Sequence, residues 1–324
     1  MTEIEKIKAF LSIKSFLNRN DQVDLINKLN LSKVDLDKRL KGKENEVELF
    51  LILHMLNSCN HILAFDEGTS VLTKSYSPDA IIELKNGYRF FLEIKSTDDR
   101  KFKNSTGNLE NRIQFANSFG LPLYFAVKVS GYWSLYSAEY LLNNNGKIDV
   151  VDDFKTSEFY TMFGSHVIHF PEGFKAVRQY SRSTNKCIAK HDNHGFLVKY
   201  DLYFNNQLLF SFNPDSNDVF LYFMLESLND AMLQQYQNIT SVGSDDLIES
   251  LELKTGVYTT THGMLLSPIY HLKHDLDFFY DSTTYYKDLL GKKPTHFTKE
   301  ILYNVLFLLI GEGVPIRITT NKEL

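Results

Sequence analysis

Only two cysteines, Cys59 and Cys187, occur in the 324 residues. That is too few for a disulfide framework and suits a reducing compartment. Long apolar runs are missing as well. The longest candidates, 49–56 and 301–310, are interrupted by His54 and Asn304 and fall short of the roughly 20 residues that cross a bilayer. The opening MTEIEKIKAF alternates charged and apolar residues and has no uninterrupted apolar stretch of the kind a signal peptide needs. Internal repeats and low-complexity segments are also missing. These absences give the expectation of a soluble, cytoplasmic protein with no membrane partner. An excess of positive charge is lacking too, since the net charge is −5. Its distribution matters more than its sum. Residues 201–324 carry 8 basic against 16 acidic side chains, whereas residues 1–200 carry 27 against 24. The first two-thirds can therefore host a polyanion site.

What is present is a folded chain, 43% hydrophobic and 14% aromatic. Ile4, Ile7, Phe10, Leu11 and Leu17 stand at helical spacing over 3–19. Two shorter helices are expected over 21–30 and 33–41, the second capped by Ser32 with Asp35 three residues on. The pair has the outline of a helix-turn-helix but no basic recognition face, which favours packing over groove reading. A further helix over 43–58 presents Val47, Leu49, Phe50, Leu53 and Leu56. The period then changes to that of strands at 61–65, 77–84, 88–95, 122–129 and 132–137, with a helix over 108–119 ending at Gly120. This order gives an α/β sandwich. The run Asn143-Asn144-Asn145-Gly146 marks a domain edge, and mixed helix and strand follow it.

The chemistry-bearing stretch runs from Pro78-Asp79 to Glu93-Ile94-Lys95 across a hairpin. Two carboxylates and a lysine are what phosphodiester hydrolysis requires: acids to hold Mg²⁺, and a cation to orient or deprotonate the attacking water. Whether they meet depends on register. A two-residue Asn86-Gly87 turn sends Asp79 and Glu93 to opposite faces. A three-residue Lys85-Asn86-Gly87 loop sets Asp79 opposite Glu93 and Glu83 opposite Arg89. It also leaves Ala80, Ile82, Leu84, Tyr88, Phe90, Leu92 and Ile94 on one apolar face. Burial and chemistry agree only in the second register, which is the one expected. The bland alternative is a cross-strand acid–lysine pair on a solvated sheet face.

These residues resemble the PD-(D/E)xK nuclease superfamily, which includes archaeal Holliday-junction resolvases and restriction endonucleases. The run Lys41-Gly42-Lys43-Glu44-Asn45-Glu46 is similar to the resolvase opening KGxxxE. Phe115-Ala116, Gly120 and Leu123-Tyr124-Phe125-Ala126-Val127-Lys128 resemble that family's helix and fourth strand. The likeness covers about residues 40–137. It implies a restriction-endonuclease-like core, a mixed sheet flanked by helices, over 41–142. An N-terminal helical segment (1–40) precedes it, and a C-terminal α+β domain of unassigned fold (150–324) follows for specificity or interaction. It further implies a Mg²⁺-dependent DNA endonuclease, with Mn²⁺ as substitute. Asp79, Glu93 and the Ile94 carbonyl would hold the metal, and Glu46 would reach it directly or through water. Lys95 would serve as a depressed-pKa base or as a positioned charge. Gln114 and Arg112 could steady the phosphate and Lys128 could contact it, or all three could be solvated surface. An RNase on the same core and a non-catalytic nucleic-acid-binding scaffold are the rival functions. A homodimer would serve two-strand cutting.

Weaker signals lie beyond. The segment 171–199 carries Lys175, Arg178 and Arg182 among aromatic residues, a composition suited to nucleic acid or to a solvated basic loop. Cys187, His191 and His194 have ligand chemistry without an evident fourth ligand. His271, His274, Asp275 and Asp277 read as a solvated helix or turn.

Overall fold

The computed structural model describes residues 6, 9–10, 13, 17–31, 33–65, 77–129, 132–184, 186–191, 193–218, 221–222, 224–226, 237–242, 245–266 and 298–323. Most of the helix expected over 3–19, and the whole group at 271–277, lie outside these residues. Helix α1 (Arg19–Leu29) begins where the Asn18 side chain accepts from the Asp21 N–H, and ends at Asn30 in the left-handed conformation. Helix α2 (Lys33–Met55) is a single helix of 23 residues, not the two expected over 33–41 and 43–58. The two expected helices are separated only by Gly42, which does not interrupt it. A glycine inside a helix costs only about 1 kcal/mol relative to alanine. The buried turns that follow it, with Leu49, Ile52, Leu53 and Leu56 at the core, outweigh that. The short second helix of a helix-turn-helix is therefore absent.

Five strands form the first sheet: β1 (Cys59–Ala64), β2 (Ala80–Leu84), β3 (Arg89–Thr97), β5 (Leu123–Val129) and β6 (Tyr132–Ser137), side by side in that order. All neighbours are antiparallel except β3 and β5. That parallel pair needs a crossover, which includes helix α3 (Thr106–Ser118), capped by Ser105 and followed by Gly120 at φ 66°. The period of two sorts the side chains. Phe90, Leu92 and Ile94 join the cluster that includes α2, while Phe91, Phe125 and Val127 join a second cluster with Leu109 and Ala116 of α3. A mixed sheet with helices on both faces results. The short strand β4 (Lys101–Lys103) pairs with β7 (Lys147–Asp149), and α4 (Ala138–Asn143) lies between β6 and β7 in sequence.

The remainder is mainly antiparallel. Strand β9 (Phe174–Ser181) lies inside a second sheet, between β10 (Gly195–Phe204) and β11 (Asp246–Glu252). Strand β8 (Val167–Phe170) is the middle of a three-stranded sheet. The α2-side cluster does not stop at the expected boundary of 142–150. It continues through Phe159 and Phe163 of α5 (Phe159–Phe163) to Phe174, Tyr200 and Leu306. Phe90, fully buried, touches Tyr124 with ring centroids 5.0 Å apart and Phe163 at 6.3 Å. Phe90→Ala should cost roughly 3–5 kcal/mol and shift one cooperative urea transition. Two transitions, with only one moved, would show that the cluster does not couple the regions.

Candidate active site

The β2–β3 hairpin has the register that brings the acids together. Leu84 and Tyr88 close a three-residue loop, with Gly87 at φ 84° and the Tyr88 N–H donating to Asn86 Oδ1. Glu83 stands opposite Arg89, Ile82 opposite Phe90 and Ala80 opposite Leu92, so the next pair is Asp79 with Glu93. Asp79 Oδ2 accepts from the Ile94 N–H at 2.6 Å. A strand residue turns its N–H and C=O to the same edge, so the Ile94 carbonyl also points to the Asp79 side.

Electrostatics then concentrate on Glu93, whose side chain is fully buried. Lys95 contacts one of its carboxylate oxygens and Arg112 the other, and Lys95 Nζ lies 4.0 Å from Asp79 Oδ2. Burial, then the Asp79 charge, push the Glu93 carboxyl up to about 7, although Lys95 and Arg112 pull the other way. Burial also draws the Lys95 ammonium down, but the Glu93 and Asp79 carboxylates outweigh it and hold Lys95 above its ordinary value. With no metal between the acids, Lys95 is thus held as a positive charge.

Residues 37–167 match the family model of the archaeal Holliday junction resolvases, Hjc. These residues form a resolvase-like PD-(D/E)xK core. Among solved structures, the Holliday junction resolvase Hjc of Archaeoglobus fulgidus, an archaeal hyperthermophile, is 23% identical. That match covers 33% of this chain and 88% of the other, at a TM-score of 0.28, too low for a structural argument to rest on it. No curated protein matches the chain.

Within the resolvase-like core, other expected residues are placed differently. Arg112 grips Glu93, but Gln114, two residues on, is exposed and has no hydrogen-bond partner among the described residues. At about 100° per helical residue, Gln114 points some 200° away from Arg112, which faces Glu93. Glu46 is half-buried on α2. Lys128 is engaged on the opposite face of the sheet, donating to Glu48 Oε2 at 2.6 Å and Asn45 Oδ1 at 3.1 Å. Asn45, Glu48 and Trp133 were missed by sequence reasoning. The signal for the first two was a polar pair, three residues apart, on the buried stripe of α2.

The basic segment 171–199 belongs to the second sheet. Arg178 is buried against Glu249 at 3.0 Å and Glu226 at 3.4 Å, which corrects its reading as a nucleic-acid contact. Lys175 is half-buried opposite Tyr203 and Glu252, and Arg182 donates to the Asn193 carbonyl at 3.1 Å. His191 and His194 stack at 4.3 Å.

Among the described residues, no three His, Cys, Asp or Glu side chains gather as a ligand set. The pair Asp79 and Glu93 with the Ile94 carbonyl nevertheless fits Mg²⁺, which uses one or two carboxylates and keeps several waters. The buried Glu93 carboxyl beside a second acid is under-compensated, as its raised pKa shows. A divalent cation would relieve it. Among the described residues, no helix is long and apolar enough to cross a membrane.

Proposed function

We propose that this chain is a Mg²⁺-dependent DNA endonuclease acting on branched or duplex DNA, with Mn²⁺ as a substitute. The supporting observation is Glu93, buried opposite Asp79 and held by both Lys95 and Arg112. Asp79, Glu93 and the Ile94 carbonyl would hold the metal. When bound, the metal supplies charge stabilisation at the scissile phosphate and acidifies a coordinated water. Lys95, placed between the two acids, would orient the attacking water and meet the phosphate. Arg112 fixes the Glu93 rotamer and favours its ionised form. Glu46 would reach the metal from α2 directly or through water. Two copies of the chain would present two sites for two-strand cutting.

A four-way DNA junction, linear duplex and single-stranded RNA, each incubated with Mg²⁺, Mn²⁺, Ca²⁺ or EDTA, test this proposal. Junction or duplex is expected to be cut in Mg²⁺ and Mn²⁺. Ca²⁺ should support binding with little turnover, because its longer and looser coordination places water poorly. Cutting of RNA alone would keep the site and overturn the substrate. Cutting in EDTA would overturn the mechanism, and binding without any cutting would favour the scaffold.

A further inference from the structure

We infer that Lys128 positions Glu46, as the centre of a polar clasp that fixes the rotation of α2 against the end of the catalytic strand. The inference rests on the metal-dependent reading of Asp79, Glu93 and Glu46. Ser96, Lys128 and Trp133 stand in one row across β3, β5 and β6, since Ser96 pairs with Lys128 and Lys128 with Trp133. Directly paired residues share a face, and this face meets α2. Asn45 donates to Ser96 Oγ at 2.9 Å, and Lys128 donates to both Asn45 and Glu48. Trp133 Nε1 donates to the second Glu48 oxygen at 2.9 Å, and its ring lies 5.8 Å from the Lys128 ammonium. Trp133 is fully buried and the Lys128 side chain is 19% exposed. This ammonium is committed within the fold and is not presented to a phosphate.

A buried ion pair adds little net stability, because desolvation offsets most of the attraction. What it does provide is orientation, since the pair closes in only one arrangement of helix and sheet. Asn45 and Glu48 are three residues apart and share one side of α2. Glu46, next to Asn45, is turned about 100° from it. With Asn45 and Glu48 clasped, the direction of Glu46 follows. A rotation of α2 by one residue would carry Glu46 away by that same angle. The clasp fastens at Ser96, beside Lys95, so it ties the helix to the strand that carries Glu93, Ile94 and Lys95.

Mn²⁺ titration calorimetry on the full chain tests this without relying on turnover. The variants are Glu46→Gln, the paired Lys128→Met with Glu48→Gln, which avoids stranding a buried charge, and all three changes together. Loss of a group that orients or contacts a metal ligand costs about 10- to 100-fold in affinity. Glu46→Gln and the paired variant should each weaken Mn²⁺ binding by about tenfold, and the triple variant should be no weaker than either. Lys128→Arg should restore most of the loss. If the paired variant melts below the titration temperature, Trp133→Phe replaces it. That change removes one hydrogen bond from the clasp and should give a smaller loss that vanishes in the Glu46→Gln background. Wild-type affinity in the paired variant, or losses that multiply in the triple variant, would overturn the inference and leave the nuclease reading standing. Wild-type affinity in Glu46→Gln would overturn it too. A wild-type chain that binds no Mn²⁺ would remove both.

Discussion

Asp79→Asn and Glu93→Gln should each abolish DNA cleavage together with Mn²⁺ binding, whereas Lys95→Met should abolish cleavage and leave Mn²⁺ binding largely intact. The contrast follows from chemistry. The two acids are the oxygen donors at the hairpin, while a protonated lysine cannot ligate a cation. Lys95 sits between both acids and, on the proposed mechanism, is a charge placed for the developing transition state. Removing one such preorganised group typically costs about 100- to 1,000-fold in rate. DNA binding should survive in all three variants, because phosphate contacts spread over a surface supply most of the affinity. Plasmid nicking and junction cutting report the first property, calorimetry the second and gel shifts the third. Full activity of the Lys95 variant would sink the assignment.

The second large effect is on stability. In EDTA, Glu93→Gln should become progressively more stable than the wild type as pH rises. The Glu93 carboxyl titrates near its ordinary 4.5 in the unfolded chain and at about 7 in the fold. Between these values the unfolded chain has released a proton that the native chain still holds. Wild-type stability therefore falls as pH rises through this window and levels off above it. A shift of this size corresponds to about 3 kcal/mol, and a glutamine carries no such slope. Urea titrations at pH 5 and pH 8 measure the difference. Parallel pH dependences for wild type and variant would show that Glu93 is not under-compensated in the fold. Below pH 7 the same proton competes with the metal, so Mn²⁺ binding should release a proton and weaken with acidification.

The hairpin was legible because two requirements converged. Only the three-residue loop put seven apolar residues on one face while setting Asp79 opposite Glu93, and Gly87 supplied the backbone conformation that loop needs. Partners distant in sequence were not legible. Lys128 and Arg178 both read as candidate phosphate contacts. Their carboxylate partners, Glu48 and Glu249, lie 80 and 71 residues away and meet them only through strand order. Azimuth was not legible either: Gln114 lies near Arg112 in sequence but on another side of the helix. The helices expected over 33–41 and 43–58 are one because the burial of α2 overrides the local propensity of Gly42, about 1 kcal/mol. The second sheet left no signature, since its strands carry ordinary apolar alternation and no chemical motif.

Anomalous scattering from crystals soaked in Mn²⁺ tests the central claim most directly. The account predicts a single strong peak at the hairpin, in contact with the Asp79 and Glu93 carboxylates and the Ile94 carbonyl, that disappears in Asp79→Asn. Saturating Mn²⁺ with no peak between those two acids, or a peak only elsewhere on the chain, would contradict it.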